Sequence, residues 1–250
     1  MKPNVLILRA PGTNCNDETA FAFELAGARA EQVHINRLLE QPNLLENFQI
    51  FCFPGGFSYG DDIASGRILA NQIKHSLQNA VNDFKFQKKL ILGICNGFQI
   101  MIRSGILLAD DASGAKATLN WNDSGVFYAG WTQLRVISEN PEKCVFLRGI
   151  RSMYLPVAHA EGKFMARNPQ VLQNLEQNGQ LVLKYEASDN PNGAQANVAG
   201  ICDETGHAFG LMPHPERHIQ PTQHPRWTRG DAGPVGDGFA VFQNAVSYFL

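Results

Sequence analysis

Two cysteines sit in the same tripeptide, Gly-Ile-Cys: Cys95 in "KKLILGICNGFQIMIRSGILL" and Cys202 in "NVAGICDETGHAFGLM". Only the first stands where a thiol can become a nucleophile, with a structural cysteine as the alternative on spacing alone. Cys95 follows Leu90 to Ile94, an apolar run that reads as a buried strand, and precedes "NGFQIMIRS", which reads as a helix ended by Gly105. A side chain at a sharp strand-to-helix turn projects over the carboxyl edge of the sheet. The turn crowds the positions two before and two after it, and both are glycine here, Gly93 and Gly97. That is the logic of a nucleophile elbow, with sulfur replacing the serine oxygen. The unpaired N–H groups and positive dipole end of the helix favour negative charge on the sulfur.

Cys202 lacks these advantages. It precedes "DETG", a turn between two strand candidates, and reads as packed strand. Cys52 inside "QIFCFPGG" reads as core, Cys144 as strand packing, and Cys15 as an exposed loop residue with nothing nearby to activate it. A nucleophilic cysteine needs a base, and the base needs an orienting group. Of seven histidines, only His214 in "GLMPHPERH" follows a probable strand and has a carboxylate, Glu216, two residues on. Extended chain would send these two side chains opposite ways, but Pro213 and Pro215 deny the segment regular pairing and permit a bend. An ordinary loop histidine beside a surface glutamate is the alternative. In "FCFPGGFSYGDD", Gly55 and Gly56 end a strand, and glycine lets backbone N–H groups approach a ligand closely. Together with the N–H of Asn96 they form a candidate oxyanion hole, a kind of donor typically worth about 10²–10³ in rate. A plain glycine turn is the competing reading. A metal site from His214, His218 and His224 lacks a fourth ligand, so no metal is expected. Asp61 and Asp62 read as capping residues.

The elements that must position these groups alternate in the first half. "NVLILR", "AEQVHI", "FQIFCFPGG" and "KLILGI" read as strands. A helix is expected after Asn16–Asp17, which can cap it, with Phe21 and Leu25 on one face at i, i+4, and another from Ile63 to Phe84. This predicts an α/β fold with a mostly parallel sheet flanked by helices. The second half, with "TQLRVIS", "KCVFLR", "YLPVAH", "GQLVLKY", "VAGICDE" and "HAFGLM", predicts additional mixed strands built onto that layer, one domain over 1–250. Arg217 to Gly238 reads as a long loop, and Phe239, Phe242, Val246 and Phe249 share one face of a last helix. The 250 residues carry a formal net charge of −2, which argues against nucleic acid and anionic membrane as partners. Five scattered cysteines without a CxxC pair suggest free thiols in a reducing compartment, and with no signal or spanning segment legible the cytoplasm is expected.

Read together, "PGG", "GICNGFQ" and "PHPE" resemble the class I glutamine amidotransferase family, of flavodoxin-like fold, whose triad is Cys, His and Glu. "APGTNCNDET", "PGGFSYGDDIASG", "ATLNWNDSGVF", "PVAHAEGKF", "PNGAQANVAGI" and "GLMPHPER" narrow the resemblance to its purine-biosynthetic glutaminase branch, across nearly the whole chain. The region "HIQPTQHPRWTRGDAGPVGDG" is the least similar. The resemblance implies Cys95 as nucleophile, His214 as base, Glu216 as its orienting carboxylate, and the Gly56 and Asn96 amides as the oxyanion hole. It implies that Gly55, Gln99, His159 and Glu161 line the glutamine site. No cofactor is implied for this chain. A large synthetase subunit is expected to bind ATP, Mg²⁺ and formylglycinamide ribonucleotide and to receive the ammonia, with a small third subunit beside it. Two alternatives stay open: another α/β cysteine hydrolase of the gamma-glutamyl peptidase or DJ-1 type, and a non-catalytic regulatory subunit on the same fold.

Overall fold

The computed structural model describes residues 2–137 and 142–250. The apolar runs of the first half become strands β1 (Asn4–Arg9), β2 (Arg29–His34), β3 (Ile50–Phe53) and β4 (Leu90–Ile94). β3 and β4 are buried along their whole length, as central strands covered on both faces require. Helices α1 (Asn16–Leu25), α2 (Ile35–Glu40), α3 (Arg67–Gln72), α4 (Gln78–Phe86) and α5 (Asn96–Arg103) lie between or after them. The second half adds β5 (Ala117–Asn120), β6 (Tyr128–Val136), β7 (Ser152–His159), β8 (Lys163–Ala166), α6 (Pro169–Gln177), β9 (Leu183–Tyr185), β10 (Val198–Cys202), β11 (Ala208–Leu211) and α7 (Phe239–Ser247).

Nine strands form one sheet in the order β2-β1-β3-β4-β11-β10-β9-β6-β7. From β2 to β11 every neighbour pair is parallel, and from β11 to β7 every pair is antiparallel. The added strands therefore continue the same sheet. β5 and β8 pair separately as an antiparallel ribbon. β11 is the seam between the two halves, with Ala208 to Leu211 opposite Ile91 to Ile94 of β4. In a parallel array the carboxyl ends of neighbouring strands meet along one edge, where ligands of open α/β sheets bind.

Several local expectations change. The helix foreseen from Ile63 begins at Arg67, because Asp61 (φ 55°) and Gly66 (φ 71°) hold the preceding chain out of helical geometry. It passes through a π-turn at Ile73–Leu77 before α4. α1 buries Thr19, Ala22 and Phe23, while Phe21 and Leu25 are 48% and 47% exposed. Phe23 packs edge-to-face on Phe242 of α7 at 4.9 Å, so α1 turns its Phe23 side inward. Neither Asn16 nor Asp17 caps α1; Cys15 is its N-cap, without a side-chain bond. "KCVFLR" is a 3₁₀ turn over Val145–Leu147, not a strand. Ser138, the end of "TQLRVIS", lies outside the described residues. The Arg217–Gly238 stretch is irregular as expected, with 3₁₀ turns at Pro221–Gln223 and Trp227–Arg229.

Candidate active site

Cys95 sits between β4 and α5 with φ 51° and ψ −106°, a conformation that L-residues rarely adopt. The elbow glycines are required by contact. A Cβ on Gly97 would collide with the Phe53 carbonyl, and one on Gly93 with the Met101 sulfur and, at 2.8 Å, the Gly97 carbonyl oxygen. The Cys95 amide donates to the Leu211 carbonyl at 2.8 Å, tying the elbow to the end of β11. Three residues beyond Leu211 the chain reaches His214, whose own amide donates to the Pro156 carbonyl of β7 at 2.8 Å. Nucleophile and base therefore hang from adjacent strands.

The bend expected from the prolines is present. Pro215–Arg217 forms a 3₁₀ turn, and Glu216 Oε1 lies 2.6 Å from His214 Nδ1. Both side chains are buried. Nε2 of His214 and the second Glu216 oxygen have no hydrogen-bond partner among the described residues. Burial alone would strip the proton from His214, but the Glu216 carboxylate, Cys95 and Cys15 outweigh it and hold its proton affinity well above the usual imidazole range. The Cys95 thiol donates to the Ala158 carbonyl at 3.7 Å.

Gly56 adopts φ 140°, open only to glycine at ordinary cost, and its Cβ position would fall 2.7 Å from the Asn14 amide. Its amide makes no hydrogen bond among the described residues. Asn96 opens α5, so its amide has no intrahelical acceptor. The Asn96 side chain does more than the sequence revealed. Its oxygen accepts from the Ser58 amide at 3.1 Å, and its nitrogen donates to Asp61 at 3.1 Å and to Gln99 at 2.9 Å. Asp61, held also by the Gly66 amide and the Ser65 hydroxyl, thus braces the loop after β3. Asp62 takes no comparable place.

The remaining residues implied by the resemblance are buried and engaged. Gln99 Nε2 donates to the Glu161 carbonyl at 2.5 Å, and the Glu161 carboxylate faces the Ser65 amide and Arg103, each at 3.4 Å. His159 Nδ1 lies 3.1 Å from Asn122 Oδ1, and its Nε2 lies 3.5 Å from Asn192 Nδ2. Burial, followed by the nearby His214, depresses its pKa to about 4, so the ring is neutral. Gly55 lies against the imidazole: a Cβ there would come 2.8 Å from His214 Cε1.

Cys15 departs most from expectation. It is 1% exposed, and its sulfur lies 4.0 Å from His214 Nδ1 and 3.0 Å from Arg217 Nη2. The available signal was its place just after β1, whose carboxyl end shares the edge with β3, β4 and β11. Among the described residues, the cluster with metal-ligating potential is Cys15, His214 and Glu216, not the three histidines. The short Nδ1–Oε1 bond and the guanidinium on the sulfur already engage these atoms, and the cation beside the sulfur disfavours a metal ion. His218 instead gives Nδ1 to the Tyr154 carbonyl at 2.8 Å and packs with His224 against Trp131. Cys52 and Cys202 are buried strand residues as expected, and Cys144 is buried beside the Val145–Leu147 turn.

Residues 2–249 match the family model described as CobB/CobQ-like glutamine amidotransferase domain. The chain is 48% identical to the phosphoribosylformylglycinamidine synthase subunit PurQ of Dehalococcoides mccartyi, over 99% of this chain and 98% of that protein. It is 39% identical to the subunit of the same name from Methanococcus maripaludis, over 99% and 97%. Among solved structures, a chain of PurLQS from Thermotoga maritima covers all of both chains at TM-score 0.75 and 31% identity. A glutamine amidotransferase from Thermotoga maritima shares the fold at TM-score 0.54 and 17% identity, covering 92% of this chain and 82% of that one.

Proposed function

The chain belongs to the CobB/CobQ-like glutamine amidotransferase family, and from that premise we propose that Cys95, His214 and Glu216 carry its glutamine hydrolysis. The relatives support the glutaminase function of phosphoribosylformylglycinamidine synthase: the chain releases ammonia from glutamine for a synthetase subunit. One observation carries the residue assignment. The strained Cys95 elbow and the His214–Glu216 pair extend from neighbouring strands at one sheet edge.

In this reading the Cys95 sulfur attacks the side-chain amide carbon of glutamine while His214 Nε2 takes the thiol proton. The negative charge that forms on the amide oxygen meets the Gly56 and Asn96 N–H groups. His214 then protonates the leaving nitrogen, ammonia departs, and a glutamyl thioester remains on Cys95. Water, giving a proton to His214, adds to the thioester; the C–S bond breaks, the sulfur takes the proton back, and glutamate leaves. Glu216 keeps the imidazole in the tautomer that presents Nε2 to the sulfur. Gly55 forms the flat wall beside the ring. Gln99 and Glu161 shape the glutamine pocket through the backbone they hold, and His159 through its contacts with the Asn122 and Asn192 side chains.

ATP and Mg²⁺ belong, in this proposal, to the synthetase partner, which aminates formylglycinamide ribonucleotide; a small third subunit completes the assembly. Among the described residues no helix is long and apolar enough to cross a membrane, which is compatible with the cytoplasmic location we infer. The test is Cys95→Ala in the assembled enzyme. Glutamine-dependent amination should vanish while amination from free ammonia persists; equal loss with both nitrogen donors refutes the role.

A further inference from the structure

We propose that Cys15 is a positioning residue for the His214 base, its sulfur holding the Nδ1 edge of the imidazole and keeping Arg217 from hydrogen-bonding Glu216. This rests on the reading of His214 as base. The sulfur is fixed from several sides. Arg217 Nη2 donates to it at 3.0 Å, its own S–H donates to Asn14 Oδ1 at 3.2 Å, and His214 Nδ1 lies 4.0 Å away. The ring is thereby confined between Cys15 and the backbone of Gly55, since a Cβ on Gly55 would reach 2.8 Å from the ring and 3.0 Å from the sulfur.

Arg217 gives the contact its chemical consequence. Its Nε lies 3.5 Å from Glu18 Oε1 and 4.0 Å from Glu216 Oε1, the same oxygen that holds His214. Anchored on the sulfur and Glu18, the guanidinium stands beside the His214–Glu216 pair without taking that oxygen. Without the sulfur it is free to close on Glu216 and compete with the imidazole N–H. A cation on the carboxylate lowers the proton affinity of the ring and loosens its orientation. The loop that carries Cys15 also holds the oxyanion loop: the Cys15 amide donates to the Gly55 carbonyl at 3.2 Å, and the Phe57 amide to the Gly12 carbonyl at 2.9 Å. One short segment after β1 therefore braces both the base and the oxyanion donor.

The ionisable groups facing the pair are Cys15 and, through Arg217, Glu18 at α1; Cys52 on β3; Cys95 before α5; His159 on β7; and Arg217 on the same turn. The experiment measures steady-state kinetics of the assembled enzyme against pH for Cys15→Ala, Cys15→Ser and Cys15→Ala/Arg217→Gln. For Cys15→Ala the expectation is roughly a tenfold fall in glutamine-dependent kcat with KM within twofold. Ammonia-dependent activity should be unchanged, and the acid limb of kcat/KM, which reports the base, should move to lower pH. Serine keeps a donor and an acceptor and should stay within about threefold of the parent. Removing the competing guanidinium in the double variant should return the acid limb toward its original position. An alanine variant with parental kcat and pH profile overturns the proposal. So do equal losses for alanine and serine accompanied by a lowered Tm. His214→Ala separates the underlying reading: full glutamine-dependent activity without the imidazole would refute the base itself, whatever Cys15 does.

Discussion

His214 Nδ1 and Glu216 Oε1 lie 2.6 Å apart although their residues are separated by a single proline. The 3₁₀ turn over Pro215–Arg217 makes this possible by folding the carboxylate back onto the ring. Both groups are out of water, so the carboxylate has no competing solvent and acts on the imidazole at full strength.

Glu216→Gln keeps the shape of this pair and removes its charge. The expected result is a fall in glutamine-dependent kcat of about 10²–10⁴, with ammonia-dependent turnover retained. Parallel assays of the assembled enzyme with the two nitrogen donors measure it. A variant within threefold of the parent would remove Glu216 from the mechanism.

Asn96→Ala leaves the backbone N–H of residue 96 in place but deletes the side chain that holds Ser58, Asp61 and Gln99. Glutamine-dependent kcat should drop roughly tenfold to a hundredfold, less than the ~10²–10³ expected for losing an oxyanion donor outright. Single-turnover acylation with glutamine reports the effect directly.

Gly97→Ala drives a methyl group into the Phe53 carbonyl, which is main chain and has nowhere to go. A loss of about 2–4 kcal/mol in stability is expected, read from urea denaturation. An alanine variant as stable as the parent would mean that the strand-to-helix turn is looser than described.

Burial depresses the His159 pKa to about 4 in the folded protein, against about 6.5 for a free imidazole. Between these values the unfolded chain binds the proton and the native ring does not, so stability falls as pH drops from about 6.5 toward 4. The contribution reaches up to about 3 kcal/mol at the acid end. His159→Gln should flatten this part of the stability–pH curve, measured by denaturant titration across the window; an unchanged slope would assign the acid sensitivity elsewhere.

A glutamine-mimicking electrophile should label Cys95 and spare Cys52, Cys144 and Cys202, which are packed in the core. Burial pushes the Cys52 and Cys144 thiols well above their usual range, which further lowers their reactivity. Peptide mapping after labelling distinguishes them, and modification of Cys202 in place of Cys95 would invert the reading of the two Gly-Ile-Cys sites.

The strands that position the chemistry were legible because central parallel strands are apolar on both faces and leave uninterrupted runs, as in "NVLILR" and "KLILGI". The elbow was legible because close packing on both sides of Cys95 admits glycine alone. Phe21 and Leu25 share a face, but size and spacing do not say which face meets a neighbour; Phe23 meets Phe242, more than two hundred residues on. β5 and β8 are only four residues each, too short to stand out as strands, whereas α6 carries legible signals in its Asn168 N-cap and Pro169 at the first position. Cys15 was misjudged for a topological reason. Nothing within its own segment announces that Arg217 and His214 will close over it.

The placement of β11 between the two halves of the sheet has an architectural consequence. The reach from sulfur to imidazole is set by main-chain pairing between adjacent strands, and the excursion of polypeptide from Arg103 to Ala208 returns to it at β7, where the Pro156 carbonyl takes the His214 amide and the Ala158 carbonyl takes the Cys95 thiol. Insertions or deletions in the parts of the excursion that stay clear of β7, Asn122 and Glu161 can remodel outer surfaces without retuning the reaction centre. A slip of one step between Ile94 and Leu211 would undo it at once.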